Sequence, residues 1–195
     1  MMGLNGKLNG AAQAIQLERH TFVAYVEDKP GVLARVAALF RRRAYNIESL
    51  AVGRTDVAGA SRMTIVMECD ATTARLVEAN LYKLVNVLRV EDVTHEPNII
   101  RDLALIKVSA NAEQRPQVLQ IIEVFRARVV DVAPEALIVE ITGTEDKLHG
   151  LVEVLRPFGI IEMARTGSIA MTRGAQGIPV DPTFVPARVR TNGDS

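Results

Sequence analysis

Cysteine is almost missing from this chain: Cys69 is the only one among 195 residues. That excludes an intrachain disulfide and fits a reducing compartment, with Cys69 expected as a small apolar residue on a strand. Net charge is missing as well, since 23 Lys and Arg balance 23 Asp and Glu, and so no overall field draws the chain to nucleic acid or to acidic lipid. Aromatics are few, five Phe and three Tyr, and none falls in the cluster that a base-stacking sheet needs. No run approaches the roughly 18 to 20 apolar residues of a membrane span, and the first 19 residues lack the apolar core of a signal peptide. The chain is expected to be cytoplasmic, with neither membrane nor nucleic acid as a partner.

Catalytic groupings are also wanting. His20, His95 and His149 are far apart and show no metal-ligand spacing, so they are expected at the surface or at strand ends and no metal site is assigned. Nothing pairs Cys69 or a serine with an obvious base, and Gly53 and Gly59 lack the pattern of a phosphate-binding loop. Arg41-Arg42-Arg43 stands at a helix C-terminus, where cations are favoured in any case. No catalytic residue is assigned.

What is present is ample material for packed cores, 48% hydrophobic residues in a length that suits one or two small domains. Phe22 to Val26 is short and rich in β-formers, and reads as a strand over 20 to 26. Val32, Val36, Leu39 and Phe40 recur at helical spacing and predict a buried helix face over 31 to 43. A strand from about 47 to 54 follows, and then a loop with Asp56 and Gly59. In the next strand Met63, Ile65, Met67 and Cys69 make an apolar face and Arg62, Thr64, Val66 and Glu68 a mostly polar one. A helix over 72 to 85 and a strand through Val90 and Val93 complete a βαββαβ unit, which predicts an antiparallel sheet with both helices on one face.

The turn between the first strand and the first helix carries specific chemistry. Asp28 is a good acceptor for free N–H groups at a helix start, and Pro30 suits a first turn because its missing N–H would have no partner there. Gly31 lets another molecule approach the backbone where the N–H groups of Gly31, Val32 and Leu33 lack partners. A carboxylate is favoured at that spot by about 0.3 to 1 kcal/mol. Asn46, at the other end of the helix, offers a carbonyl oxygen and an amide that suit an α-amino and α-carboxylate pair.

Glu27-Asp28-Lys29-Pro30-Gly31-Val32-Leu33, Tyr45-Asn46-Ile47-Glu48-Ser49-Leu50 and Arg62-Met63-Thr64-Ile65 resemble, in order and spacing, the small regulatory subunit of acetolactate synthase. The likeness continues through Lys83 to Leu88, Leu105 to Val108 and Phe125-Arg126, and covers about residues 19 to 174. It implies an α+β chain of two ferredoxin-like βαββαβ domains, the first an amino-acid-binding ACT domain. It also implies a non-catalytic subunit that activates a large catalytic subunit and makes it sensitive to valine in branched-chain amino acid biosynthesis. Thiamine diphosphate, Mg and FAD are then expected on the large subunit and no cofactor on this chain. In the family two ACT domains pair and the effector lies between chains. The implied effector-binding residues are Asp28, Gly31 and Asn46 as polar anchors, with Val32, Leu33 and Ile47 near the aliphatic group. Two departures stand out. Ala44 replaces a common glycine and implies a different helix exit, and Asp28 replaces an asparagine found in some relatives. An alternative is a stand-alone amino-acid-binding ACT protein that controls another enzyme.

The predicted domains are a flexible leader over 1–18, the ACT domain over 19–96, a C-terminal ferredoxin-like domain over 97–173 and a flexible tail over 174–195. In the second domain strands are expected at 103–109, 129–133, 136–142 and 160–171, with helices at 116–127 and 145–155. Arg115-Pro116-Gln117-Val118-Leu119 echoes Lys29 to Leu33, and Phe125 to Val132 echoes Phe40 to Ile47. On that register Gln117 stands at the place of Gly31 and fills the ligand's space, while Asp131 replaces the amide of Asn46. Only the first half is expected to sense.

Overall fold

The computed structural model describes residues 16–175, 177, 178 and 180. Residues 1–15 of the leader and 176, 179 and 181–195 of the tail lie outside the described residues, and with them the expectation of flexibility there.

The first strand, β1 (Glu18–Glu27), carries apolar side chains on both faces. Phe22, Ala24 and Val26 join one core, and Val23 joins another. Helix α1 (Val32–Arg42) buries Val32, Val36, Leu39 and Phe40 on the first core, the stripe that their spacing predicts. Strands β2 (Ser49–Arg54) and β3 (Ala60–Cys69) follow. Asp70 caps helix α2 (Ala71–Leu81) by accepting the N–H groups of Thr72 and Thr73, and β4 (Val87–Asp92) closes the unit. The sheet order is β2-β3-β1-β4, antiparallel throughout. Phe22, Phe40, Met63, Ile65, Met67 and Leu81 are fully buried under the helices; each such side chain contributes about 1.5 to 3 kcal/mol.

The second unit repeats the plan with β5 (Asn98–Ser109), α3 (Arg115–Val124), β6 (Arg128–Ala133), β7 (Ala136–Gly143), α4 (Glu145–Leu155) and β8 (Ile160–Arg165). Its sheet order is β6-β7-β5-β8. The chain is thus α+β with two ferredoxin-like units. The single strand expected over 160–171 is broken: β8 pairs with Ala104–Val108 of β5, whereas β9 (Ile169–Thr172) pairs with Asn98–Arg101. Between them the chain runs against the first unit, where a Cβ on Gly167 would stand 2.5 Å from the Leu50 carbonyl oxygen.

That arm, β9 with the start of β5, covers the face of the first sheet opposite its helices. Val23, Val93 and Ala170 are buried together there, with Tyr25 and Ile100 packed against them. Arg62 donates to the Ala170 carbonyl and its guanidinium lies 5.7 Å from the Tyr25 ring centre. Thr64 and Val66, expected on a mostly polar face, are consequently only 2% exposed. His20, expected at the surface or at a strand end, lies near the start of β1 but is buried on the helix side of the sheet, stacked on Phe22, with its Nδ1 2.7 Å from Asp92.

Both units end their first helix alike. Ala44 has φ 54° and Arg126 φ 50°. Tyr45 N–H reaches the Phe40 carbonyl and Ala127 N–H the Ile122 carbonyl, the bond that closes a helix through a left-handed residue. The expectation that Ala44 forces a different exit is therefore corrected: it takes the glycine-type exit without being glycine. The shared bonds also correct the repeat's register. Glu27 N–H to Asn86 O matches Ser109 N–H to Gly159 O, and Asp28 N–H to Gly59 O matches Ala110 N–H to Glu135 O. From the end of each unit's first strand through its helix exit, positions 82 apart are equivalent, so Glu113 stands at the place of Gly31 and Arg128 at that of Asn46. Gln117 is exposed on the outer side of α3 and fills no pocket.

Candidate functional site

Past Glu27 the chain turns sharply. Asp28 N–H donates to the Gly59 carbonyl at 2.7 Å and Lys29 N–H to the Glu27 carbonyl at 2.9 Å. Gly31 then adopts a left-handed backbone, φ 83° and ψ −5°, and stands at the N-cap of α1 with no side chain capping the helix. Two expectations fail here. Asp28 does not cap α1, because its carboxylate is drawn to Arg54 at the end of β2, Oδ2 to Nε 3.0 Å. Pro30 precedes the cap and so lies outside the first turn. Val32 N–H makes only a long 3.4 Å bond to the Lys29 carbonyl, and the N–H groups of Gly31, Leu33 and Ala34 meet no acceptor among the described residues. The positive end of the helix is left open.

A side-chain network holds the turn from behind. Lys29 Nζ donates to Glu27 Oε1 at 2.9 Å, the Asn86 amide donates to the other Glu27 oxygen, and Arg35 donates to Asn86 Oδ1. Its bonds to Lys29 and then Asn86 hold the Glu27 carboxyl below its usual range.

The expected residues fall into two groups. Asp28, Gly31 and Leu33 are exposed around the N-terminus of α1, while Val32 is 4% exposed and packs in the core. Asn46 is exposed and Ile47 half-buried against the first core, both beyond the helix's C-terminus. The 11 residues of α1 separate the groups by about 16 Å at 1.5 Å per residue. One small amino acid cannot touch both within a single chain.

The second unit shows the same turn closed. Asn111 Oδ1 accepts the N–H groups of Glu113 and Gln114 at 3.1 and 2.9 Å, the equivalents of Gly31 and Val32. Ala110 stands where Asp28 does in the first unit, and Arg115 Nη2 fills the turn by donating to the carbonyls of Ala110, Ala133 and Pro134. At this turn the amides are already bonded, and Gln117 does not fill it.

A larger cavity of about 670 Å³ lies where the units meet, lined by Arg19, Glu48, Asp102, Glu145 and Arg165 among others. Arg19 joins Glu48 at 3.2 Å and also Glu145, and Arg165 joins Glu145 at 3.1 Å and also Asp102. Nothing local in the sequence marks these residues: the pairs are far apart along the chain, and the one between Arg19 and Glu145 joins the two units. Among the described residues no group of three or more His, Cys, Asp or Glu is placed to hold a metal ion, and no helix is long and apolar enough to cross a membrane. Cys69 is buried, which pushes its thiol up to about 11.

A family model described as the small subunit of acetolactate synthase matches residues 101–174, and one described as the AHAS small subunit-like ACT domain matches residues 22–89. A chain of Mycobacterium tuberculosis (strain ATCC 25618 / H37Rv) called putative acetolactate synthase small subunit is 52% identical over 159 residues, 82% of this chain and 95% of that one. This chain belongs to the acetolactate synthase small subunit family. A probable member from Archaeoglobus fulgidus is 48% identical, covering 80% of this chain and 98% of its own. The crystal structure of the acetolactate synthase small subunit from Thermotoga maritima superposes with a TM-score of 0.77 at 37% identity, over 82% of this chain and 99% of that one. The matched ranges fall on the two βαββαβ units, and the open turn at Gly31 lies in the range matched as an ACT domain.

Proposed function

We propose that this family member is the regulatory subunit of an acetolactate synthase. It raises the activity of a catalytic large subunit and makes that subunit answer to valine in branched-chain amino acid biosynthesis. The partner follows from the name its relatives carry, since a small subunit implies a large one. The large subunit is assigned the thiamine diphosphate, Mg and FAD chemistry that condenses pyruvate with pyruvate or 2-oxobutyrate.

The observation that carries the effector role is the open set of amides at Gly31, in a fold whose second half closes the equivalent amides with Asn111. The 16 Å between the ends of α1 points to a ligand held by two chains. Strand β2 is an edge of its sheet, and two copies paired antiparallel along β2 through a two-fold axis bring the start of one α1 beside the end of the other. The ligand then meets Gly31, Asp28 and Leu33 of one protomer and Asn46 and Ile47 of its partner. Val32 supports the wall from the core. Burying an isopropyl group contributes about 2 kcal/mol, and one methylene changes affinity by about 1 to 3 kcal/mol, so leucine and isoleucine compete. Inhibition requires valine to bind one state of the complex better than the other, with a coupling of about 1 to 3 kcal/mol.

The test is Asn46→Ala, assayed with the large subunit. Activation is expected to persist while inhibition by valine is lost; full inhibition in the variant places the sensor elsewhere.

A further inference from the structure

We propose that Arg54 sets the charge selectivity of the effector site. Its Nε holds Asp28, and its Nη1 and Nη2 take the carboxylate of an α-amino acid zwitterion at the mouth of the Gly31 turn. The inference rests on the effector reading above and adds a residue to it.

Arg54 is the last residue of β2, fixed opposite Ser61 of β3. The hairpin beyond it is held by Thr55 Oγ1, which donates to the Ala60 carbonyl at 3.0 Å, and is tied to the site by the bond from Asp28 N–H to the Gly59 carbonyl. The guanidinium is thus delivered to the turn by the sheet register and a pinned loop.

Charge explains why it is needed there. Asp28 bonds none of the open amides, yet it belongs to the same turn, three residues before Gly31, and its negative charge disfavours the anion that they would attract. The Arg54 pair neutralises it. The other cations around the turn are engaged, Lys29 with Glu27 and Arg35 with Asn86. The Nη groups of Arg54 meet no acceptor among the described residues, and its side chain is 85% exposed. A guanidinium with Nε occupied keeps two Nη groups in the fork geometry that suits a carboxylate. Asp28 is left to accept the ligand's ammonium.

Calorimetry on the full chain at pH 7, with valine and with valinamide, separates the carboxylate from the rest of the ligand. The wild type is expected to bind valine at least tenfold more tightly than valinamide. Arg54→Gln is expected to weaken valine tenfold or more, to leave valinamide within twofold, and to keep the wild-type oligomeric mass. Unchanged valine affinity in Arg54→Gln, with Asn46→Ala still weakening it, overturns the role of Arg54 and leaves the site standing. Equal loss of both ligands with a fall in oligomeric mass also overturns it, because Arg54 would then act on chain pairing. No heat from either ligand with the wild type removes the site and this inference together.

Discussion

Ala44 and Arg126 occupy the same place in the two units: each sits in a left-handed backbone two residues past the last residue of its unit's first helix, at φ 54° and 50°. Neither is glycine. For an L-residue with a side chain that conformation costs about 1 to 2 kcal/mol, and both units tolerate it because the helix-closing bonds of Tyr45 and Ala127 are made.

Relieving that strain has a measurable result. Ala44→Gly and Arg126→Gly each remove the steric cost while adding chain entropy to the unfolded state, a net gain of about 0.5 to 1 kcal/mol. In a chain of this size Tm rises by roughly 1 to 4 °C. Scanning calorimetry on the two single variants checks it.

Much of this architecture was legible in advance, and the failures have identifiable causes. Helical spacing in Val32, Val36, Leu39 and Phe40 and the short β-rich run at Phe22 depend on burial along one element, and both were read correctly from neighbouring letters. Capping propensity is local and assigns Asp28 to α1, whereas Arg54, 26 positions on, competes for the same carboxylate. The repeat's register is hidden in the sequence because the shared proline and phenylalanine lie three or four positions from the residues that make equivalent bonds. The break at Thr166 to Ser168 and the burial of Val66 come from docking between units, which no window of sequence contains. Of the site, Gly31 was legible from its turn. The separation of Asn46 from it required the length of α1 in three dimensions.

Gly167, half-buried, is expected to be among the least tolerant positions in the joint between units. A Cβ there meets the Leu50 carbonyl oxygen and carbon at 2.5 and 2.6 Å, and backbone cannot step aside as a side-chain tip does. Gly167→Ala is expected to cost about 1 to 3 kcal/mol and to hasten proteolytic cutting between β8 and β9. Limited proteolysis beside a thermal melt reads both effects.

The joint is also expected to weaken in acid. Glu145, at the start of α4, is held below the usual carboxylate range first by its bond to Arg19 and then by Arg165. A carboxyl whose folded pKa lies below its unfolded value adds stability that is present above the unfolded value of about 4.5. That contribution is lost as pH falls through the folded value. Melts of the full chain from pH 7 to pH 3 should therefore show Tm falling below about 4.5, and Glu145→Gln should flatten that fall. Glu27, lowered by Lys29 and Asn86, retains a share of the slope in the variant.

The most direct measurement is the rate of the acetolactate synthase large subunit across a valine titration, with and without this chain. Addition of the chain is expected to raise the rate, and valine to lower it only when the chain is present. A large subunit whose rate is indifferent to the folded chain, or whose response to valine is the same with and without it, contradicts the account.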